Sequence, residues 1–298
     1  MNGIINIYKE KGFTSHDVVA KLRGIFKQKK IGHTGTLDPD AEGVLPVALG
    51  NATKVCDLIT DKDKAYRCLL LLGKTTDTQD ISGNVLKESE VNVSEDEIIR
   101  AIKSFEGEYD QVPPMYSAIK INGKKLYELA REGKEIERPA RRIRIHEIDI
   151  KEVNVPRVTM EVSCSKGTYI RTLCHDIGEK LGCGGVMEEL LRIKSGDFEL
   201  DSALKLSEVE RLVKEGGIEE RIISVDRVFK ALPPVKCDNK AEKLLINGNR
   251  LPKEFIFGDK DTFKDGENVR LYGNDGRFAG IYEYKKNAGD FKPVKLFL

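Results

Sequence analysis

GHTGTLDPDAEGVLP, residues 32–46, places Asp38 in a turn built from glycines, threonines and a proline. Gly32 and Gly35 open backbone conformations closed to other residues, and Pro39 biases Asp38 away from the helical region. The carboxylate is therefore expected to project from an irregular, rigid loop, the kind of segment on which a scaffold often carries chemistry. Upstream, Val18 to Leu37 holds Lys21, Arg23, Lys27, Lys29 and Lys30 and no acid, which suits a polyanion approaching the turn. Taken alone, an Asp before Pro most often caps a turn or a helix by accepting backbone N–H bonds.

The rest of the chain sets bounds on that turn. With 298 residues, two domains are expected. Net charge is only +1, from 50 basic and 49 acidic residues, so distribution carries the information. Ser117 to His146 has nine basic and four acidic residues, whereas Glu88 to Asp110 is acidic. The six cysteines form no C-x-x-C pair and no zinc spacing with histidine, and read as reduced thiols. GHTGTLDP lacks the ending of a P-loop, and no G-x-G-x-x-G follows a strand. No apolar run approaches a bilayer span, and no cleavable leader is legible, so a soluble cytoplasmic protein is the expectation.

Periodicity predicts mixed α and β content. Ile4, Ile5 and Ile7 suggest a strand, followed by a helix capped by Thr14 or Ser15 whose Val18, Val19, Leu22, Ile25 and Phe26 share a face. Tyr66 to Leu72, closed by Gly73, reads as a buried strand. Glu95 to Phe105 reads as a helix capped by Ser94. Val158 to Cys164 alternates like a strand, and after a turn a helix carries Ile170, Leu173, Ile177 and Leu181, with Thr168 as its expected cap. EELLR, 188–192, follows a Gly-rich step, and Leu206 to Val213 suggests another amphipathic helix. Beyond Asp226, short apolar segments separated by Asn-Gly, Asp-Gly and Gly-Asp turns suggest a compact β-rich domain.

GHTGTLDPDAEGVLP resembles the signature of the tRNA pseudouridine-55 synthases, which isomerise a uridine in the tRNA T-loop. KAYRCLLLLGKTTDTQDISG, QVPPMYSAIKINGKKLYELAREG and KGTYIRTLCHDIG extend the resemblance through nearly all of Gly3 to Phe198. It implies an α+β pseudouridine-synthase fold with a mixed, largely antiparallel central sheet, in a catalytic domain over 1–225. An RNA-clamp insertion is expected near 111–145. The C-terminal segments resemble, more loosely, a small PUA-like RNA-binding domain over 226–298.

The resemblance also implies roles. Asp38 is the nucleophile, Arg171 its ion-pair partner, and Tyr66 the ring that stacks on the flipped base and assists proton movement. His33 takes the space of the extruded base, Tyr169 and Leu190 line the pocket, and Lys9 supports Tyr66 or a phosphate. Lys120, Lys124, Lys125, Arg141 and Arg142 belong to the clamp, where basic residues mixed with Tyr116 and Tyr127 can grip phosphates and stack on unpaired bases. A carboxylate with a pKa of about 4 is about 99.9% ionised at pH 7 and needs no general base. Isomerisation transfers no group and no electrons to a second molecule, so no metal or cofactor is expected. The expected partner is the tRNA T-stem-loop, bound by a monomer with no obligatory protein partner. Where the family usually has proline after the lysine of its opening step, Glu10 follows Lys9, which puts the rigidity of that loop in question. The alternatives are a noncatalytic tRNA-binding or tRNA-folding protein on the same scaffold and a guide-RNA-dependent synthase.

Overall fold

The computed structural model of the chain describes residues 1–121, 123–258 and 262–298. The first apolar alternation is β1 (Gly3–Lys9), and Thr14 caps the helix behind it, α1 (Ser15–Phe26). Thr14 and Asp17 exchange side-chain and backbone hydrogen bonds at that cap. Next come β2 (Ile31–His33), β3 (Glu42–Leu49), α2 (Cys56–Thr60) and β4 (Lys64–Leu72). A small hairpin, β5 (Lys74–Thr76) with β6 (Val85–Glu88), leads to α3 (Glu95–Lys103), capped by Ser94 with Glu97 bonding back. The chain continues through β7 (Gly107–Gln111), β8 (Lys120–Ile121), β9 (Lys124–Lys125) and α4 (Leu126–Arg131). It then enters β10 (Arg141–Asn154), β11 (Arg157–Cys164), α5 (Ile170–Leu181), β12 (Gly185–Ser195), β13 (Phe198–Glu199) and α6 (Leu206–Glu215).

These strands make one mixed sheet in the order β1-β3-β12-β4-β11-β10-β7, with β2 on β3 and β13 on β12. Every pairing is antiparallel except β3 with β12. That parallel contact needs Gly43, whose φ is +102° and where a Cβ would run into the Arg192 carbonyl. β4 is the strand expected over Tyr66 to Leu72, but only one of its faces is fully buried. Tyr66, Cys68, Leu70 and Leu72 are buried, whereas Arg67 is exposed and Leu69 and Leu71 are half-buried, because the helical core covers one face only. α3 and α5 supply that cover, with Ile98, Ile102, Leu173 and Ile177 packed against Leu70, Met160 and Val162.

The C-terminal segments form a second sheet. Its elements are β14 (Pro234–Lys236), α7 (Glu242–Ile246), β15 (Leu251–Pro252), β16 (Asn268–Tyr272), β17 (Phe278–Lys285) and β18 (Asp290–Leu296). The strand order is β14-β16-β17-β18-β15, around a core that includes Leu271, Tyr282 and Phe291. Asp226, where the composition changes, lies inside a single 3₁₀ turn, Val225–Phe229. A shared apolar cluster joins the two parts there: Ile4, Val44 and Phe198 on one side meet Ile281 and Phe297 on the other. Among the described residues, no helix is long and apolar enough to cross a membrane.

Candidate active site

Asp38 lies in the irregular stretch between β2 and β3, and buried polar side chains from three directions hold that turn. Ser15, at the start of α1, accepts from the Leu37 N–H at 2.9 Å. Thr34 donates its hydroxyl to the Pro46 carbonyl at 3.0 Å. Lys9, fully buried at the end of β1, donates to the carbonyls of Pro39 at 3.0 Å and Ala41 at 2.6 Å. This corrects the expectation that Lys9 supports a phosphate, because its ammonium is spent on the turn and sealed from solvent. Burial lowers its pKa to about 8 against the pull of Asp38. The turn also keeps its anchor despite Glu10, since the Gly12 N–H donates to the Pro39 carbonyl at 2.9 Å.

Opposite the turn stands the N-terminus of α5. Thr168 is not its cap: its hydroxyl donates to the Ser165 carbonyl, and Tyr169 is the capping residue without a side-chain bond. The support comes instead from Gln111 at the end of β7. Its amide accepts from the Tyr169 N–H at 2.8 Å and donates to the Tyr169 carbonyl at 3.0 Å. So braced, Arg171 sits in the first turn with its side chain 5% exposed. Its Nε lies 3.0 Å from Asp38 Oδ2 and its Nη2 lies 3.3 Å from Oδ1, a two-pronged pair. The remaining protons reach the Tyr116 carbonyl at 2.9 Å, the Thr78 carbonyl at 3.1 Å and the Asp80 carboxylate at 3.5 Å. One guanidinium thus ties together three segments.

Asp38 does not keep the ordinary carboxylate pKa expected from its sequence. Desolvation by the surrounding protein raises it, Arg171 lowers it, and the second carboxylate, Asp80, raises it again. The net direction is upward, although 39% of its side chain still faces solvent. The other oxygen of Asp80 accepts from the hydroxyls of Thr78 at 2.7 Å and Ser82 at 2.6 Å. Tyr66, 8% exposed, packs in the same apolar cluster as Leu37, and Leu190 lies half-buried against it. Burial raises the Tyr66 hydroxyl, opposed by the neighbouring Arg192. Burial likewise raises Tyr169, countered by Ser117 and then by the charges of Arg141 and Arg171. His33 is half-buried; burial lowers its pKa, and its Nδ1 accepts from the Gly35 N–H at 3.4 Å. The result is a carboxylate aimed by a buried guanidinium that Asp80 shares, with two tyrosine rings close by.

Comparison with known proteins bears on this geometry. Residues 23–170 match the TruB family pseudouridylate synthase N-terminal domain, and residues 171–234 match the tRNA pseudouridylate synthase B C-terminal domain. A protein of Lachnoclostridium phytofermentans named tRNA pseudouridine synthase B is 53% identical over the full length of both chains. One of the same name from Clostridium acetobutylicum is 45% identical over 99% of each. The chain belongs to the TruB family of pseudouridylate synthases. Among solved structures, a Cbf5-Nop10-Gar1 complex contains a chain that superposes with a TM-score of 0.70 at 30% identity, covering 99% of this chain and 85% of that one.

In this TruB-family chain, three residues at the site escape a reading of the sequence alone. Asp80 sits unremarked among the threonines of TTDTQD, Gln111 precedes a proline pair, and Arg192 ends EELLR. Arg192 lies in β12, 1% exposed, and its Nε donates to the Val44 carbonyl at 2.6 Å. The cations expected to form a clamp differ among themselves. Lys120 and Arg141 are exposed, and Lys125 lies 5.2 Å over the Tyr127 ring. Lys124 is 3.8 Å from Glu132, whereas Arg142 is held by Asp110 at 2.6 Å and Glu108 at 2.9 Å. Among the described residues, no group of three or more His, Cys, Asp or Glu side chains could hold a metal ion.

Proposed function

We propose that this protein isomerises uridine to pseudouridine at position 55 in the T-loop of tRNA, with Asp38 as nucleophile. In that reaction the bond from N1 of the base to C1′ of the ribose breaks and a bond from C5 to C1′ forms. The C5 hydrogen leaves as a proton and N1 gains one, so the atoms balance without a second reactant. The observation that carries the reading is the two-pronged Arg171–Asp38 pair at 3.0 and 3.3 Å within a chain of this family. A binding protein has no need to hold a desolvated carboxylate against a buried guanidinium. Arg171 keeps Asp38 ionised and aimed. Tyr66 receives the swung-out base and assists proton movement at the sugar, with Tyr169 and Leu190 along the pocket wall and His33 filling the vacated stack.

The basic hairpin and helix of 111–145 serve as the RNA clamp, residues 1–225 as the catalytic domain and 226–298 as a PUA-like RNA-binding domain. The enzyme works as a monomer in the cytoplasm, on tRNA alone and without cofactor. Curated relatives that are 45–53% identical and carry the name tRNA pseudouridine synthase B support this over guide-RNA dependence. The test is tritium release from unmodified tRNA labelled at uridine C5, without added metal or cofactor. Wild-type protein is expected to turn over, and Asp38→Asn to release no tritium while still binding tRNA. Full turnover by Asp38→Asn would overturn the assignment.

A further inference from the structure

We propose that Arg192 is a positioning residue for this reaction, its guanidinium fork holding the Asp38 turn and the Tyr66 ring in register. The proposal rests on the isomerase reading above. Arg192 heads the largest fully buried side chains, at 1% exposure. It stands on β12 directly opposite Tyr66 on β4, so the two side chains share a sheet face. From there Nε donates to the Val44 carbonyl at 2.6 Å on β3. Nη2 reaches the Gly35 carbonyl at 3.4 Å and Nη1 the Thr36 carbonyl at 3.5 Å, three and two residues before Asp38. Gly35 is strained for any other residue, with φ +133°, and its Cβ position faces Nη1 at 3.8 Å.

Stability by itself does not explain a cation here. Among the described residues, no ion pair joins Arg192 to an Asp or Glu; it donates to three backbone carbonyls and lies beside the Tyr66 hydroxyl. The charges around it are of like sign: Lys9 and Lys64 are buried nearby, and its field disfavours their protonation as well as that of His33. Taking a charge out of water without a counterion carries a desolvation cost that offsets what its hydrogen bonds add to stability. What an apolar chain cannot do is span β3 and the irregular turn with one rigid fork while placing positive charge beside the Tyr66 hydroxyl. That hydroxyl is raised by burial, and Arg192 pulls it back. A fork that serves geometry and charge together fits a site in which a displacement of about 1 Å can cost about 100-fold in rate.

The experiment compares wild-type protein, Arg192→Met, Arg192→Lys and Asp38→Asn by tritium release. Tyr66 is followed separately by ¹⁹F NMR of 3-fluorotyrosine-labelled protein, its resonance assigned by Tyr66→Phe. Arg192→Met is expected to melt within a few degrees of wild type and to lose about 100-fold in kcat with little change in KM. Its Tyr66 resonance titrates at higher pH, which a purely structural role would not produce. Arg192→Lys keeps the charge and the Tyr66 titration but loses the fork, so kcat falls by about 10-fold. Wild-type kcat in Arg192→Lys, or wild-type kcat with an unmoved Tyr66 titration in Arg192→Met, overturns the proposal. If Arg192→Met does not fold, the lysine variant decides. No tritium release from wild type refutes the isomerase reading instead, and leaves the Tyr66 titration to report on Arg192.

Discussion

Replacing Arg171 with methionine removes the counterion of Asp38 and leaves the apolar stem nearly intact. At the observed 3.0 Å, Coulomb's law with an effective dielectric of about 20 gives an attraction of about 5.5 kcal/mol. Because 39% of the Asp38 side chain faces solvent, screening reduces this to roughly half, about 2.5–3 kcal/mol, equivalent to about two pKa units. The direction follows from the ionised form being the reactive one. Desolvation and Asp80 already hold the carboxyl above its ordinary value, and loss of the guanidinium raises it further. Activity is then missing below the new pKa and recovered as pH rises through it. The assay is tritium release under kcat/KM conditions from pH 5 to 9, with Arg171→Lys as a variant that restores charge without the fork. In Arg171→Met the acid limb is expected to move up by about two pH units, and in Arg171→Lys by much less. Since methionine also deprives the Thr78 and Tyr116 carbonyls of a donor, a melting curve accompanies each profile. An acid limb left in place, with activity lowered by one factor at every pH, refutes the electrostatic role.

Two further outcomes follow from the geometry around this pair. Gln111→Ala leaves the Tyr169 N–H and the start of α5 without the amide that braces them, a loss of about 1–2 kcal/mol. In a chain of this size that lowers the melting temperature by about 2–3 °C, and kcat is expected to fall with it, since Arg171 stands on that turn. An unchanged melting curve refutes the brace. For the clamp, the slope of log Kobs against log salt for tRNA binding is expected to flatten by about 0.7–0.9 per engaged cation when Lys120 and Arg141 are neutralised. Arg142→Gln is expected to change it little, because Asp110 and Glu108 already neutralise that guanidinium. Equal slopes for all three proteins dismiss the clamp as a phosphate contact.

Local chemistry made several elements legible. Thr14 with Asp17 and Ser94 with Glu97 start their helices by bonds that span three residues, so the sequence carries the signal in one place. The alternation of Val158 to Cys164 shows its face in the same way. Where sequence reading missed, the signal was not local. Thr168 looks like a cap, yet the start of α5 is held by Gln111, 58 residues away. The run Tyr66 to Leu72 reads as a buried strand, yet α3 and α5 cover only one face of β4. Lys9 reads as a support for Tyr66 or a phosphate, yet it is buried and donates to the Pro39 and Ala41 carbonyls.

The amino-acid sequence alone determined the Asp38 turn, because glycine, proline and threonine restrict the backbone through interactions within a few residues. Family likeness added that Arg171 belongs with Asp38, 133 positions away. Only the folded chain decided that Asp80 shares the guanidinium and that Arg192, 148 residues from Val44, holds the turn from beneath. It also decided that desolvation lifts the carboxyl above the value its residue type predicts. Dielectric surroundings and long-range partners are properties of packed neighbours, and the order of residues along a chain does not record which neighbours the fold will bring.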